Sequence, residues 1–162
     1  MYKVGVLTIS DKGSKGERED KSGKLLQEIL KKSGFEIKAY TIVPDEEIAI
    51  IEKLKEWADK KQLDLILTTG GTGLTPRDVT PEATQKIIEK IIPGIEEALR
   101  IEGMKKTPFS ILSRGIAGIR KKTLIINLPG SPKAVQESME IILPILFHAI
   151  DKIKGDLKEC GI

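Results

Sequence analysis

The stretch from Asp64 to Thr84, DLILTTGGTGLTPRDVTPEAT, constrains the fold more than any other part of the chain. Leu65, Ile66 and Leu67 followed by two threonines read as a buried strand that delivers its carboxyl end to a turn. Gly70, Gly71 and Gly73 then give the backbone access to positive φ and let its N–H groups approach a ligand's oxygens. Thr80 and Pro81 read as the N-cap and first residue of a helix, whose amino end favours negative charge. Strand, glycine turn and helix in this order make half of a parallel α/β unit, with function expected at the strand's carboxyl end.

On residues alone the glycines have two readings, an anion cradle or simply a tight strand-to-helix turn. GGTG is neither GxGxxG nor GxxxxGK followed by Ser or Thr, so neither the dinucleotide fingerprint nor the Walker loop applies. Asp78 tips the balance. A carboxylate beside an anion-binding turn would repel a bare phosphate, but it suits a divalent cation lying between them. That suggests a nucleotide with magnesium.

The flanking chain alternates between strand and helix patterns. Tyr2 to Ser10 reads as a first, central strand, and the charged DKGSKGERED that follows as a mobile loop. A helix starting near Lys21 or Ser22 stops at Ser33 and Gly34, and Phe35 to Val43 reads as a second strand closed by Pro44. Asp45 has two readings, the cap of a helix running through Trp57 and Ala58 or a ligand for a metal-bound water. Thr80 to Ile92 reads as one helix stopped before Pro93, and Ile95 to Met104 as another. Thr107 to Gly118 takes no clear assignment, and its Ser113 and Arg114 could face a phosphate or solvent.

Thr123 to Leu128 is apolar enough to be a strand buried on both faces. It runs into PGSPK, where Ser131 can cap, Pro132 fits the first helical position and Lys133 adds a cation. That is either a second anion site or a well-capped helix with an exposed lysine. The last helix carries Val135, Met139, Ile142, Leu146 and Ile150 on one side, with Pro144 offering a kink, Gly155 a stop and the tail to Ile162 expected to fray. The expected class is α/β with a mainly parallel sheet covered on both faces.

Length and composition close off several functions. At 162 residues the chain suits one domain with a core of useful size. Its 27 basic and 24 acidic residues are interleaved and leave a net charge of +3, so no polybasic arm for nucleic acid is expected. No apolar run reaches about eighteen residues and no basic leader precedes a long apolar segment, so a cytoplasmic protein without a membrane partner is expected. One cysteine, Cys160, excludes an internal disulfide, and with the one histidine, His148, it cannot make a usual zinc site. His148 falls in an apolar helical pattern, which fits a core or interface position better than catalysis.

The segment TTGGTGLTPRDVTPEAT resembles the signature of the Mog family of molybdenum-cofactor proteins, related to the stand-alone MoaB proteins and to the G domain of gephyrin. ISD at Ile9 to Asp11, PDE at Pro44 to Glu46, LSR at Leu112 to Arg114 and LPGSPK at Leu128 to Lys133 match further pieces, in order, over nearly the whole chain. The resemblance implies a three-layer α/β/α sandwich and a homotrimer. It implies adenylyl transfer from ATP to the terminal phosphate of molybdopterin, with release of pyrophosphate and hand-over to a molybdenum-inserting enzyme. The alternative it leaves is a MoaB-like protein that binds molybdopterin without adenylylating it. On this resemblance Asp45 and Asp78 are expected to organise Mg2+, and Gly70, Gly71, Thr72 and Gly73 to cradle phosphate. Ser10, Asp11, Pro129 and Gly130 are expected to border the nucleotide, and Thr80, Ser113, Arg114, Ser131 and Lys133 to meet the pterin and its phosphate.

Overall fold

A computed structural model of the chain describes residues 1–158. Cys160 and the end of the tail lie outside those residues. Among them, β1 (Lys3–Ile9), β2 (Glu36–Val43), β3 (Leu65–Thr69), β4 (Lys90–Ile91), β5 (Ala117–Arg120) and β6 (Thr123–Leu128) form one sheet in the order β2-β1-β3-β6-β5-β4. The first four strands in that order run parallel, β5 pairs antiparallel with β6, and β4 pairs antiparallel with β5. The helices are α1 (Asp11–Ser14), α2 (Lys21–Lys32), α3 (Glu47–Lys55), α4 (Thr80–Ile87), α5 (Pro93–Met104) and α6 (Pro132–Ile153).

Apolar residues succeed one another along the central strands because successive side chains point to opposite faces and both faces are covered. Val4, Val6, Leu65, Leu67, Leu124 and Ile126 pack on one side with Leu26 and Leu30 of α2 and Met139, Ile142 and Leu146 of α6. Leu7, Ile66 and Ile125 pack on the other with Ile50 and Leu54 of α3, Trp57, and Ala83 and Ile87 of α4. Helix, sheet and helix thus form three layers, as expected. The chain leaves β1 toward β2 on one side and returns to β3 on the other, so the strand order reverses at the carboxyl ends of β1 and β3. Crevices for ligands open at such a reversal.

Several local expectations are corrected. The helix from Thr80 ends at Ile87, not Ile92, because the Glu89 and Ile92 amides donate to Ile119 and Ala117 carbonyls (2.8 Å each) and draw the segment into the sheet edge as β4. Helix α5 accordingly begins at Pro93. Thr80 is not an N-cap but the first helical residue, after Val79, and its hydroxyl donates to the Gly70 carbonyl (3.0 Å). Asp45 is not the cap of α3 either; Glu46 holds that position without a side-chain bond, and helix α3 passes into a π turn at Glu56–Lys60. The segment after β1 opens with one helical turn, α1, before the irregular stretch expected there. Thr107 to Gly118 resolves into a 3-10 turn at Pro108–Leu112 and the start of β5. Pro144 lies inside a continuous α6, and His148 is exposed on that helix.

Candidate functional site

Three parallel strands, β1, β3 and β6, release their carboxyl ends side by side, and the loops that follow are pressed together at Gly70. Its φ of +98° suits glycine alone, its amide donates to the Leu128 carbonyl (3.1 Å), and a Cβ there would stand 2.3 Å from the Ile9 carbonyl oxygen. Gly71, at φ +69°, brings the chain against α4: the Thr80 amide donates to its carbonyl (3.1 Å), and a Cβ would fall 2.2 Å from Thr80 Oγ1 and 3.3 Å from Asp45 Oδ1. The Thr69 hydroxyl ties the turn to the Pro129 carbonyl (2.7 Å). With the Gly70 amide committed to Leu128, the amides of Gly71, Thr72 and Gly73 are left as the cradle, since they donate to no acceptor among the described residues.

Acids approach this turn from both ends. Asp45 and Asp11 exchange bonds: the Asp11 amide donates to Asp45 Oδ2 (2.9 Å) and the Asp45 amide to Asp11 Oδ1 (3.0 Å). Arg77 closes on Asp11 through Nε (3.0 Å) and Nη2 (2.8 Å), and that hydrogen-bonded guanidinium holds the Asp11 carboxyl below the usual range. Asp45 is pushed up instead, first by burial and then by the neighbouring charges of Asp11 and Asp78. Asp78 Oδ2 accepts from the Thr75 amide (2.9 Å) and hydroxyl (2.7 Å), and lies 2.8 Å from where a Cβ on Gly73 would be.

Among the described residues no three His, Cys, Asp or Glu side chains gather as a metal cage. Magnesium, however, is commonly held by one or two carboxylates with the remaining positions taken by water and phosphate oxygens. Asp45 and Asp78 could supply that donor set, and the upward push that each neighbouring acid gives Asp45 is electrostatic strain that a cation would relieve.

Arg114 is tied into the protein through all three guanidinium nitrogens. Its Nε donates to the Gly73 carbonyl (2.8 Å), its Nη2 to the Asp78 carbonyl (2.8 Å), and its Nη1 pairs with Glu82, so the guanidinium braces the glycine turn. Its own amide donates to the Thr72 carbonyl (3.0 Å). Ser131 caps α6 by accepting from the Ala134 amide (3.2 Å), and Lys133 is exposed, its ammonium 3.9 Å from Glu137.

Two cavities flank the turn. The larger, of about 730 Å3, meets Thr8, Ser10, Asp20, Ser22, Gly70, Gly130 and Ser131; the smaller, of about 430 Å3, meets Thr72, Gly73, Ser113 and Pro129. Ser131 therefore groups with the expected nucleotide residues and Pro129 with the expected pterin residue Ser113, while Arg114 and Lys133 line neither. Asp45 borders a third depression together with Arg77.

Asp20 and Ser22 on the larger cavity, and Glu96 and Arg100 on the smaller, are not marked as site residues by any sequence motif. Asp20 caps α2 through the Gly23 amide (2.9 Å) and accepts from the hydroxyls of Thr8 and Tyr40 (2.6 Å each); burial first, and then that bond to Asp20, push the Tyr40 phenol up. An aspartate before a helical run is a legible cap, but nothing local marks it as a cavity wall. Ser22 donates to the Gly130 carbonyl (2.6 Å), fixing α2 to the β6 loop.

Residues 5–148 match the family described as "Probable molybdopterin binding domain". The chain is 47% identical over 156 residues to a molybdopterin adenylyltransferase of Helicobacter pylori, covering 94% of this chain and 88% of that protein. It is 41% identical over 154 residues to another of Pyrococcus furiosus, covering 92% and 89%. Among solved structures it resembles the molybdopterin biosynthesis enzyme MoaB of Thermus thermophilus, with a TM-score of 0.91, 52% identity and coverage of 96% and 98%.

Proposed function

The chain belongs to the molybdopterin-binding domain family and is a molybdopterin adenylyltransferase of molybdenum-cofactor biosynthesis; from that premise we propose that AMP passes from magnesium-bound ATP to the terminal phosphate of molybdopterin over the Gly71–Gly73 turn. The carrying observation is that three amides with no acceptor among the described residues belong to a turn with Asp45 beside Gly71 and Asp78 beside Gly73, in the loops that follow β2 and β3 on either side of β1.

An oxygen of the molybdopterin phosphate attacks the α-phosphorus of ATP, a new P–O bond forms, the α–β bridge breaks, and its electron pair leaves with pyrophosphate. A phosphate monoester has a second pKa near about 6, so the nucleophile is already largely dianionic at neutral pH and needs no histidine base. The obstacle is repulsion: two unit charges at about 4 Å cost roughly 4 kcal/mol at an effective dielectric near 20, and several oxygens must approach. The free amides of Gly71, Thr72 and Gly73 offset part of that by pointing N–H dipoles at the phosphates. Asp45 and Asp78 would hold magnesium, which would supply the charge neutralisation that amides alone do not. The Asp11–Arg77 pair keeps Asp45 in place through the reciprocal backbone bonds. ATP fits the larger cavity, where Ser10, Gly70 and Gly130 meet, and the pterin the smaller, where Thr72, Gly73 and Ser113 meet.

Asp78→Asn tests the magnesium role, because asparagine keeps a carbonyl oxygen for Thr75 while losing the charge. Pyrophosphate release from ATP, magnesium and molybdopterin should fall at least about tenfold with molybdopterin binding retained. Undiminished turnover in that variant refutes the metal assignment, and no pyrophosphate from the wild type returns the chain to a binding-only role like that first considered for a MoaB-like protein.

The assembly belongs to the same proposal. Ile101, Met104, Phe109, Ile111 and Leu112 expose apolar surface on α5 and the following turn, which a homotrimer would bury; light scattering decides it. Among the described residues no helix is long and apolar enough to cross a membrane; a cytoplasmic location and hand-over of the product to a molybdenum-inserting partner are part of the proposal.

A further inference from the structure

Glu96 sits in the first turn of α5 with 3% of its surface exposed, and its Oε1 has no hydrogen-bond partner among the described residues. The cation beside it is Arg100, whose Nη1 stands 3.9 Å from Oε2 while donating to the Ser113 and Gly115 carbonyls (3.2 Å each). Room for the carboxyl is made by Gly115, where a Cβ would lie 3.0 Å from Oε2. A buried acid with an unmade bond is among the costly features a core can carry, and a leucine in its place would remove that cost. Burial pushes the Glu96 carboxyl up to about 7. Such an arrangement is found where a ligand completes the bonding.

The surroundings say what kind of ligand. Glu96 lines the cavity of about 430 Å3, whose walls are apolar at Leu99, Phe109, Leu112 and Ile141 and also include Thr72 and Gly73 of the glycine turn. That shape suits a flat ring with polar groups at one edge and a phosphate-bearing arm running to the free amides. A carboxylate is an acceptor through both oxygens and pairs best with two parallel N–H donors. The 2-amino-4-oxopyrimidine edge of a pterin presents such a pair, the exocyclic amine and the adjacent ring N–H.

We infer that Glu96 is the residue that recognises the pterin, accepting its 2-amino and ring N–H groups at the inner end of the smaller cavity. This rests on the reading that molybdopterin is the substrate. It makes Glu96 a specificity determinant set apart from Asp45 and Asp78, with Arg100 and Gly115 as its positioning residues.

The test compares pterin with lumazine, in which an oxygen replaces the 2-amino group, by fluorescence titration of the wild type, Glu96→Gln and Glu96→Leu. The wild type should bind pterin at least about tenfold more tightly, since lumazine sets an acceptor against an acceptor. Glutamine pairs with the ring N–H and 4-oxo group that both rings share, and leucine pairs with neither, so each variant should bring the two affinities within about twofold. In turnover assays both variants should raise the KM for molybdopterin at least about tenfold and leave the KM for ATP unchanged. Circular dichroism and thermal unfolding establish that they fold. A pterin preference that survives both substitutions overturns the inference, as does a wild type with no preference. A wild type that discriminates through Glu96 but releases no pyrophosphate upholds it and refutes adenylyl transfer; turnover with discrimination independent of Glu96 does the reverse.

Discussion

Replacing Glu96 by Gln should change how stability depends on pH, and the size of the change follows from the site. The carboxyl is raised from 4.5 to about 7 in the folded chain, chiefly by burial, with Arg100 opposing the rise. Each pKa unit corresponds to about 1.36 kcal/mol, so the shift amounts to about 3 kcal/mol between the two protonation states. The sign is set by which state holds the proton more tightly. Here the folded state does, so Glu96 adds no penalty below the unfolded value of 4.5, and stability is lost as pH rises from there through about 7.

The other charged groups facing the cavity are Arg100 on the same helix and Glu137 on α6, which Lys133 approaches at 3.9 Å; all three are common to both proteins and cancel in a difference. Urea unfolding can be followed by the fluorescence of Trp57, the chain's one tryptophan, which is buried against β1 and α3. Wild-type stability minus that of Glu96→Gln should fall by about 3 kcal/mol between pH 4.5 and pH 8.5. A difference constant across that range would mean that Glu96 is solvated or paired, and the reasoning about its vacant bond would fail with it.

Two further outcomes bear on the turn. Gly71→Ala should cost about 1–3 kcal/mol, because φ +69° and a Cβ 2.2 Å from Thr80 Oγ1 leave alanine no relaxed position, and turnover should fall at least tenfold; Gly94→Ala, where a Cβ meets nothing, is the control, and equal behaviour of the two refutes the cradle geometry. Arg114→Lys removes the fork that holds the Gly73 and Asp78 carbonyls and Glu82, so hydrogen exchange of residues 72–78 should quicken and kcat fall more than ATP affinity; unchanged exchange would show that the brace is dispensable.

What could be read in advance divides by the range of the interactions involved. The strands around Val4, Leu65 and Leu124, the glycine turn and the Ser131 cap with Pro132 are written locally, in runs of apolar side chains and in residues with special backbone freedom. Strands β4 and β5 are not. They exist because Lys90 and Ile91 find Ile119 and Gly118 from across the sheet, and their hairpin partner β6 follows a turn at Lys121–Lys122 in which Lys121 takes φ +52° without the glycine or asparagine that usually signals one. Arg114 in LSR carried a family expectation of ligand contact, yet its fork is matched to carbonyls and a carboxylate that only the folded turn brings together. Glu96 is the least legible: in PGIEEALR it is one of two adjacent acids near the start of a helix, a pattern explained by the helix dipole, and only the packing of α5 against α6 tells it from the exposed Glu97.

The placement of the two cavities gives the proposed chemistry a physical economy. Gly70 and Gly130 approach so closely that a Cβ on the latter would be 3.4 Å from Gly70 Cα, and the Thr69–Pro129 bond seals the same contact. That contact lies between the larger cavity, reached by Gly70 and Gly130, and the smaller one, reached by Thr72, Gly73 and Pro129. With ATP and the pterin in the cavities proposed for them, the two ring systems would sit on opposite sides of this wall and their phosphate arms would meet over the Gly71–Gly73 turn. Because this wall is backbone at Gly70 and Gly130 tied by the Thr69 hydroxyl to the Pro129 carbonyl, it would resist displacement as the anions are pushed together. On this proposal the binding energy of the two rings would work against phosphate repulsion instead of being lost to rearrangement, and a site without a histidine base could still bring the reacting oxygens to the α-phosphorus.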